Sequence, residues 1–226
     1  MSPTGRSPDT LRRDNAPAPR GRSGRATVRD LGPTGYDDTW NAMKRFTAER
    51  TPSTVDELWL TEHPPVFTVG IAGRPEHLPL DGDGIPLVRT DRGGQVTYHG
   101  PGQIVLYTLL DLRRLDLTIR TLVRRLEDSV VGLLASHGVD AAGDPARPGV
   151  YVGGAKIAAL GLKIRGGCSY HGLAFNVDMD LAPFGRIDPC GFPGLDVTDA
   201  RRLGITAPRE ELAASLAQHL MERLYG

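Results

Sequence analysis

Apolar positions follow two rhythms along this chain: helical spacing near its start, middle and end, and short runs of strand type between. Tyr36, Trp40, Met43 and Phe46 recur every three or four residues and predict an amphipathic helix over 36–50, ended by Thr51-Pro52-Ser53. Leu122, Leu126, Val130, Leu133 and Leu134 mark a longer helix over 119–137, stopped by Gly138. Leu212, Leu216, Leu220 and Leu224 lie four apart and predict a closing helix over 208–225. Thr206 is its expected cap, and Glu210 and Glu211 sit favourably near its positive end.

Residues 26–30, 58–60, 66–69, 87–90, 95–99, 104–110, 150–152, 156–164 and 169–177 are short runs of β type. Gly93-Gly94, Gly100-Pro101-Gly102, Gly153-Gly154 and Gly166-Gly167 supply turns between several of them. The region 71–86 is rich in Gly, Pro and Asp and reads as a surface loop. The stretch 181–196 has no period and contains Pro183, Pro189 and Pro193; a loop of this length is usually functional or disordered. Strands outnumber helices without a regular βαβ repeat. The expected class is α+β, a mixed and largely antiparallel sheet flanked by helices.

Composition adjusts this picture at one end. Residues 1–25 carry six Arg, two Asp and four Pro with little to bury, so a disordered basic tail is expected ahead of a single domain over 26–226. The chain has no secretory-type apolar run and no stretch near the ~20 apolar residues that span a bilayer, so a cytoplasmic location is expected. Lys+Arg and Asp+Glu are both 27, which gives no net field towards nucleic acid or an anionic membrane. Cys168 and Cys190 lack metal-ligand spacing and are expected as free thiols, with no metal site.

Three segments carry candidate chemistry. Arg92-Gly93-Gly94-Gln95-Val96-Thr97-Tyr98-His99 is followed by Gly100-Pro101-Gly102, and its glycines let backbone approach a ligand closely, though paired hairpin turns would read the same way. Lys156 stands in an apolar strand of a protein with only three lysines against 24 arginines. Burying an ammonium is unfavourable by several kcal/mol unless it is paired or functional, although an edge-strand lysine is the plainer alternative. Strict alternation would put Lys156, Ala158 and Leu160 on one face and Lys163 on the other. Asp188-Pro189-Cys190-Gly191 holds a cysteine outside regular structure, where a nucleophile would be placed; a small buried apolar residue is the alternative. His99 and His171 lie in glycine-rich segments and are candidate site residues, whereas His63, His77, His137 and His219 read as loop, cap or surface positions.

RGGQVTYHGPGQIVLYTLLDLRR (92–114), KIAALGLKIRGGCSYHGLAFNVDMDL (156–181) and FGRIDPCGFPGLDVTD (184–199) closely resemble the lipoyl(octanoyl) transferase family in order and spacing, over about 27–220. The resemblance implies the fold of biotin and lipoate protein ligases and octanoyl transfer from an acyl carrier protein to a lysine of lipoyl domains or glycine cleavage H protein. It implies Cys190 as the acyl-thioester residue and Lys156 as its activator. It also implies an acyl pocket formed by Arg92, Gly93, Gly94, Gln95, Val96, Thr97, Tyr98 and His99, by Ala159, Leu160 and Gly161, and by Gly172, Leu173 and Ala174. Ala158, Ala159, Leu160 and Leu173 are small or apolar residues suited to setting the pocket's depth. Lys163 departs from the family, in which that position is commonly Arg. No cofactor is implied, and a monomer is expected. The rival reading is an ATP-dependent lipoate or biotin ligase on the same fold; a carrier-binding module without catalysis is a second.

Overall fold

The computed structural model describes residues 25–79, 84–187 and 194–226. Cys190, with Asp188, Pro189 and Gly191, lies outside the described residues, as does nearly all of the tail. Among the described residues the order is β1 (Thr27–Pro33), α1 (Tyr36–Ala48), β2 (Glu57–Glu62), β3 (Val66–Val69), β4 (Leu87–Arg89), β5 (Val96–His99) and β6 (Gln103–Leu109). Then follow α2 (Ile119–Ser136), β7 (Ala142–Gly143), β8 (Gly149–Val152), β9 (Ala155–Arg165), β10 (Cys168–Asn176) and α3 (Arg209–Tyr225).

The alternation along β6 sets the architecture. All seven of its residues are buried: Ile104 and Leu106 enter one core, and Val105, Tyr107 and Leu109 enter another. Such a strand belongs in the middle of a sheet covered on both faces. It lies there, in a seven-stranded sheet ordered β1-β2-β6-β10-β9-β8-β7. β1 and β2 are parallel and the other neighbours antiparallel, so the sheet is mixed and largely antiparallel as expected.

The leucine stripes of α2 and α3 cover one face, where Leu122, Leu126, Leu133, Leu216 and Leu220 meet Leu58, Ile104, Leu173 and Phe175. Fully burying such a side chain stabilises by roughly 1.5–3 kcal/mol. α1 packs on the opposite face through Met43, against Trp59, Val105, Tyr107, Tyr170 and Ala174. A smaller sheet, β4-β3-β5, has its own core of Phe67, Val69, Val96 and Tyr98. Met179, Leu181, Phe184 and Ile187 complete that core, so the first part of the aperiodic stretch is packed, with a 3₁₀ turn over Ala182–Arg186.

Two local expectations need correction. Thr206 does not cap α3; that helix starts after Pro208 with no side-chain cap, whereas Thr118 caps α2 by accepting from the Thr121 N–H at 3.1 Å. β7 was not anticipated, because two residues of an Ala-Gly pair are too short to show a period. Among the described residues no helix is long and apolar enough to cross a membrane.

Candidate active site

A cleft of about 740 Å³, counting its open mouth, lies on the α1 side of the large sheet. Its floor is made of cross-strand rows. Gln103 faces Asn176, then Val105 faces Ala174 and Ala159, then Tyr107 faces Gly172 and Gly161. A Cβ on Gly172 would come within 2.0 Å of the Leu106 carbonyl oxygen, so that row tolerates no side chain on β10. Over its partner Gly161 the roof descends closely enough for Gly93 to donate its N–H to Leu162 O at 2.9 Å. Arg92, Gly94, Gln95, Val96, Thr97 and His99 form the roof, Tyr36 of α1 one wall, and Phe184 and Val197 another.

Lys156 lines this cleft and is only 3% exposed. Strict alternation would have placed it with Ala158 and Leu160, but β9 carries one extra residue. Val150 pairs with Ala158 and Tyr151 with Lys156, leaving Ile157 unmatched. The bulge sends Ile157 and Ala158 into the core under α2 and α3 and turns Lys156 to the cleft. The Lys156 ammonium lies 3.4 Å from the Pro148 carbonyl and 5.2 Å from the centroid of Tyr151. Gly149 (φ +150°) makes room for it, since a Cβ there would sit 3.0 Å from Lys156 Cε and 3.2 Å from Nζ. The Lys156 main chain takes up the segment that follows the Cys190 motif: its N–H donates to Asp196 O at 2.8 Å, and its carbonyl accepts from Thr198 N at 3.0 Å.

A hydrogen-bonded series runs from there across the floor to the roof. Asn176 Nδ2 donates to Thr198 O, Gln103 Nε2 donates to Asn176 Oδ1, and Gln103 Oε1 lies 2.8 Å from His99 Nδ1. Arg92 is fixed by Thr68, whose carbonyl and hydroxyl accept from Nη2 at 2.6 and 2.9 Å. Further along, His63 Nδ1 donates to Thr34 O, which leaves Nε2 to accept from the Tyr107 hydroxyl at 2.7 Å. Asp91 gathers Trp40, Tyr170 and His171.

These surroundings hold the histidines neutral. Burial pushes His99 down to about 3, helped by the Arg92 charge and by His63, next to which a second proton is unfavourable. Burial also lowers His63, and it lowers His171 despite the bond to Asp91. Burial raises Tyr36 to about 12. Asp91 is pushed up by burial, but the bonds from His171, Tyr170 and Trp40 outweigh this and hold it well below the usual carboxylate range.

The structure thus brings together Arg92, Gly94, Gln95, Val96, Thr97, His99, Lys156, Ala159, Gly161, Gly172 and Ala174 around one cleft. Leu160 and Leu173 line it as well, though they also pack with the helical core, and Ala158 lies in that core away from the cleft. Gly93 and Tyr98 stand back: Gly93 ties the roof to β9, and Tyr98 packs between Phe67 and Phe184. Cys168 lies outside the cleft at the start of β10, with its thiol pushed up by burial. Tyr36, Tyr107 and His63 escaped the sequence reading. The two tyrosines pass as ordinary apolar positions, and His63 sits in a proline-flanked link that reads as loop, although it is 1% exposed.

Residues 35–221 match the family model for the lipoyl protein ligase A/B catalytic domain. A relative from Nitrosomonas europaea called octanoyltransferase is 60% identical over 88% of this chain and 97% of its own length. Another of the same name, from Nitrosospira multiformis, is 62% identical over 84% of this chain and 87% of its own. The solved structure of a lipoate-protein ligase A bound with ATP superposes with a TM-score of 0.74 at 19% identity, covering 89% of this chain and 86% of that one.

Proposed function

Because the chain belongs to the lipoyl protein ligase A/B catalytic domain family and catalyses octanoyl transfer in protein lipoylation, we propose that its donor is an octanoyl-acyl carrier protein and its acceptor a lysine of a lipoyl domain or of glycine cleavage H protein, with Cys190 carrying the acyl group between them. The observation that carries this reading is the junction at Lys156. The segment Asp196–Thr198, which follows the Cys190 motif, is hydrogen-bonded to Lys156, and Phe184 and Val197 on either side of that motif line the cleft with it.

The chemistry follows from these groups. A free cysteine titrates near 8.5, so only a few per cent is thiolate at neutral pH. A lysine beside it raises that fraction as a cation or takes the proton as a base. The thiolate attacks the donor thioester, the carrier thiol leaves, and an acyl-enzyme thioester forms. One thioester replaces another, so the step is near thermoneutral and needs no ATP. The acceptor amine then attacks the acyl-enzyme, an amide forms, the Cys190 sulfur leaves, and the amine's proton has to be taken up. Lys156 is the ionisable group we assign to that task. Over the floor, six methylenes buried at ~0.8 kcal/mol each contribute about 5 kcal/mol of binding.

Intact-mass analysis after mixing the full chain with octanoyl-carrier protein, without ATP, tests this. One added octanoyl group is expected, removable by hydroxylamine, absent in Cys190→Ala and retained in Cys168→Ala. An adduct persisting in Cys190→Ala would move the nucleophile elsewhere. An absolute requirement for ATP would favour a ligase.

A further inference from the structure

α2 buries an acidic side chain along with its leucines. Glu127 is 7% exposed, and burial raises its carboxyl from the ordinary value, although a bond from the Gly149 N–H pulls the other way. Taking a carboxylate out of water is unfavourable, and the octanoyl-transfer chemistry set out above makes no use of it.

What this carboxylate holds is a single peptide group. Gly149 donates its N–H to Glu127 Oε1 at 3.0 Å. The carbonyl of that same peptide, Pro148 O, accepts from Lys156 Nζ at 3.4 Å. The N–H and C=O of a trans peptide point in opposite directions, so Glu127 lies on one side of the peptide and Lys156 on the other. Its dipole turns the positive end to the carboxylate and the negative end to the ammonium.

The surroundings make that bond matter. Glycine restricts its own backbone least, so an unanchored 148–149 peptide can rotate and carry Pro148 O away from Lys156. Small residues close around both ends: a Cβ on Gly143 of β7 would come within 3.0 Å of Glu127 Oε2, and one on Gly149 within 3.0 Å of Lys156 Cε. The other charged groups around Glu127 are Arg124 and Asp128 of α2, and Asp144 and Arg147 of the link between β7 and β8. Asp144 and Arg147 pair with each other at 2.8 Å, and the Gly149 N–H is left to Glu127.

We propose that Glu127 is a positioning residue for Lys156: by holding the 148–149 peptide, it fixes the carbonyl on which the Lys156 amine rests, and so sets where that amine stands in the cleft. This rests on the assignment of Lys156 to acyl transfer and extends the machinery of the site to α2, on the other side of the sheet.

The test measures single-turnover acylation by octanoyl-carrier protein, per folded molecule, in the unaltered full chain, Glu127→Ala and Glu127→Gln. Glu127→Ala is expected to lower the maximal rate by about tenfold to hundredfold, while the donor concentration giving half that rate stays within about twofold. Glu127→Gln keeps an acceptor for the Gly149 N–H and is expected to recover the rate to within about threefold. If the Ala variant fails to fold, Glu127→Leu, which fills the volume without an acceptor, replaces it. A second arm needs no donor. Iodoacetamide alkylation of Cys190 at pH 7, in a Cys168→Ala background where it is the only thiol, should be slowed by Glu127→Ala and restored by Glu127→Gln. An Ala variant with unaltered rates per folded molecule, or a Gln variant as slow as Ala, overturns the role of Glu127. Failure of octanoyl to load the unaltered chain, with alkylation still sensitive to Glu127, would instead strike at the transferase reading.

Discussion

The two faces of the large sheet are built from the same strands and follow opposite rules. Under α2 and α3 the contacts are aliphatic, nearly all from Leu, Val, Ile and Ala, and residues such as Leu122, Leu126 and Phe175 are fully buried. On the other face the same strands present Tyr107, His171, two facing glycines and Lys156, beneath a roof that holds Arg92 and His99. That face carries buried polar groups, a left-handed histidine and a bulge, each unfavourable by itself. One face stores stability; the other consumes some of it to hold chemical groups in place. Substitutions on the two faces should therefore separate stability from activity.

The largest expected effect is at Lys156. Lys156→Met removes the ionisable group from the cleft but fills similar volume. Transfer of octanoyl should fall by about 10²–10⁴-fold. Unfolding free energy should hold or rise, because a lysine that is 3% exposed is replaced by an apolar chain. Lys156→Arg sharpens the result: it keeps the charge but cannot release a proton at accessible pH, so loss of transfer with retained acylation assigns Lys156 to the proton. Parallel urea titrations and single-turnover assays decide it. A Met variant destabilised as strongly as a core truncation would break the distinction between the faces.

Much of the helical face was legible in the sequence because its signal is periodic. Leucines four apart announce α2 and α3, and the apolar run 104–110 announces a strand, though not its central place in the sheet. From residue pattern alone the cleft face was legible where composition is unusual, in the glycines of 92–102, the isolated Lys156 and the histidines of glycine-rich segments. Ala159, Gly161, Gly172 and Ala174 came only through the family resemblance. What escaped there depends on departures from period. The bulge at Ile157 reverses the face on which Lys156 stands, and the left-handed backbone of His171 does the same for that residue. Neither leaves a mark in a residue pattern. Tyr36, His63 and Tyr107 belong to the site through contacts between elements distant in sequence, such as the 2.7 Å bond from Tyr107 to His63.

On the helical face, Leu126→Ala should show the reverse behaviour. Leu126 is fully buried between helix and sheet, so its truncation removes transfer free energy and leaves a cavity, together about 2–5 kcal/mol. Thermal and urea unfolding should both report the loss. Transfer per folded molecule should stay near that of the unaltered chain, since the face it supports is not the one that lines the cleft. A fall in turnover much larger than the loss of folded protein would mean that the packing of α2, beyond Glu127, positions the site as well as stabilising the sheet.

The smallest effect is the most specific to the cleft face, and it concerns pH. His99 titrates at about 3 in the fold and near 6.5 when unfolded, because burial beside His63 and Arg92 disfavours its charged form. Between those values the unfolded chain binds a proton that the folded chain refuses. Stability is therefore fully present above pH 6.5 and declines as pH falls towards 3, by up to about 1.4 kcal/mol per unit for this one group. His63 and His171 are also lowered by burial and act in the same direction. Asp91 is depressed too, but its loss begins lower, as pH falls below the ordinary carboxylate value. Glu127, raised by burial, works against the histidines from the acid side, so the decline between pH 7 and 5 is the histidine effect less that of Glu127. Urea unfolding at pH 7, 6 and 5 should show a steepening decline. His99→Gln should lower stability at pH 7, yet flatten that decline by close to one proton. Leu126→Ala should shift the whole curve down without changing its slope. A flat profile between pH 7 and 5 in the unaltered chain would mean that the histidines of the cleft face take up protons without opposing the fold, and the contrast between the two faces would then rest on catalysis alone.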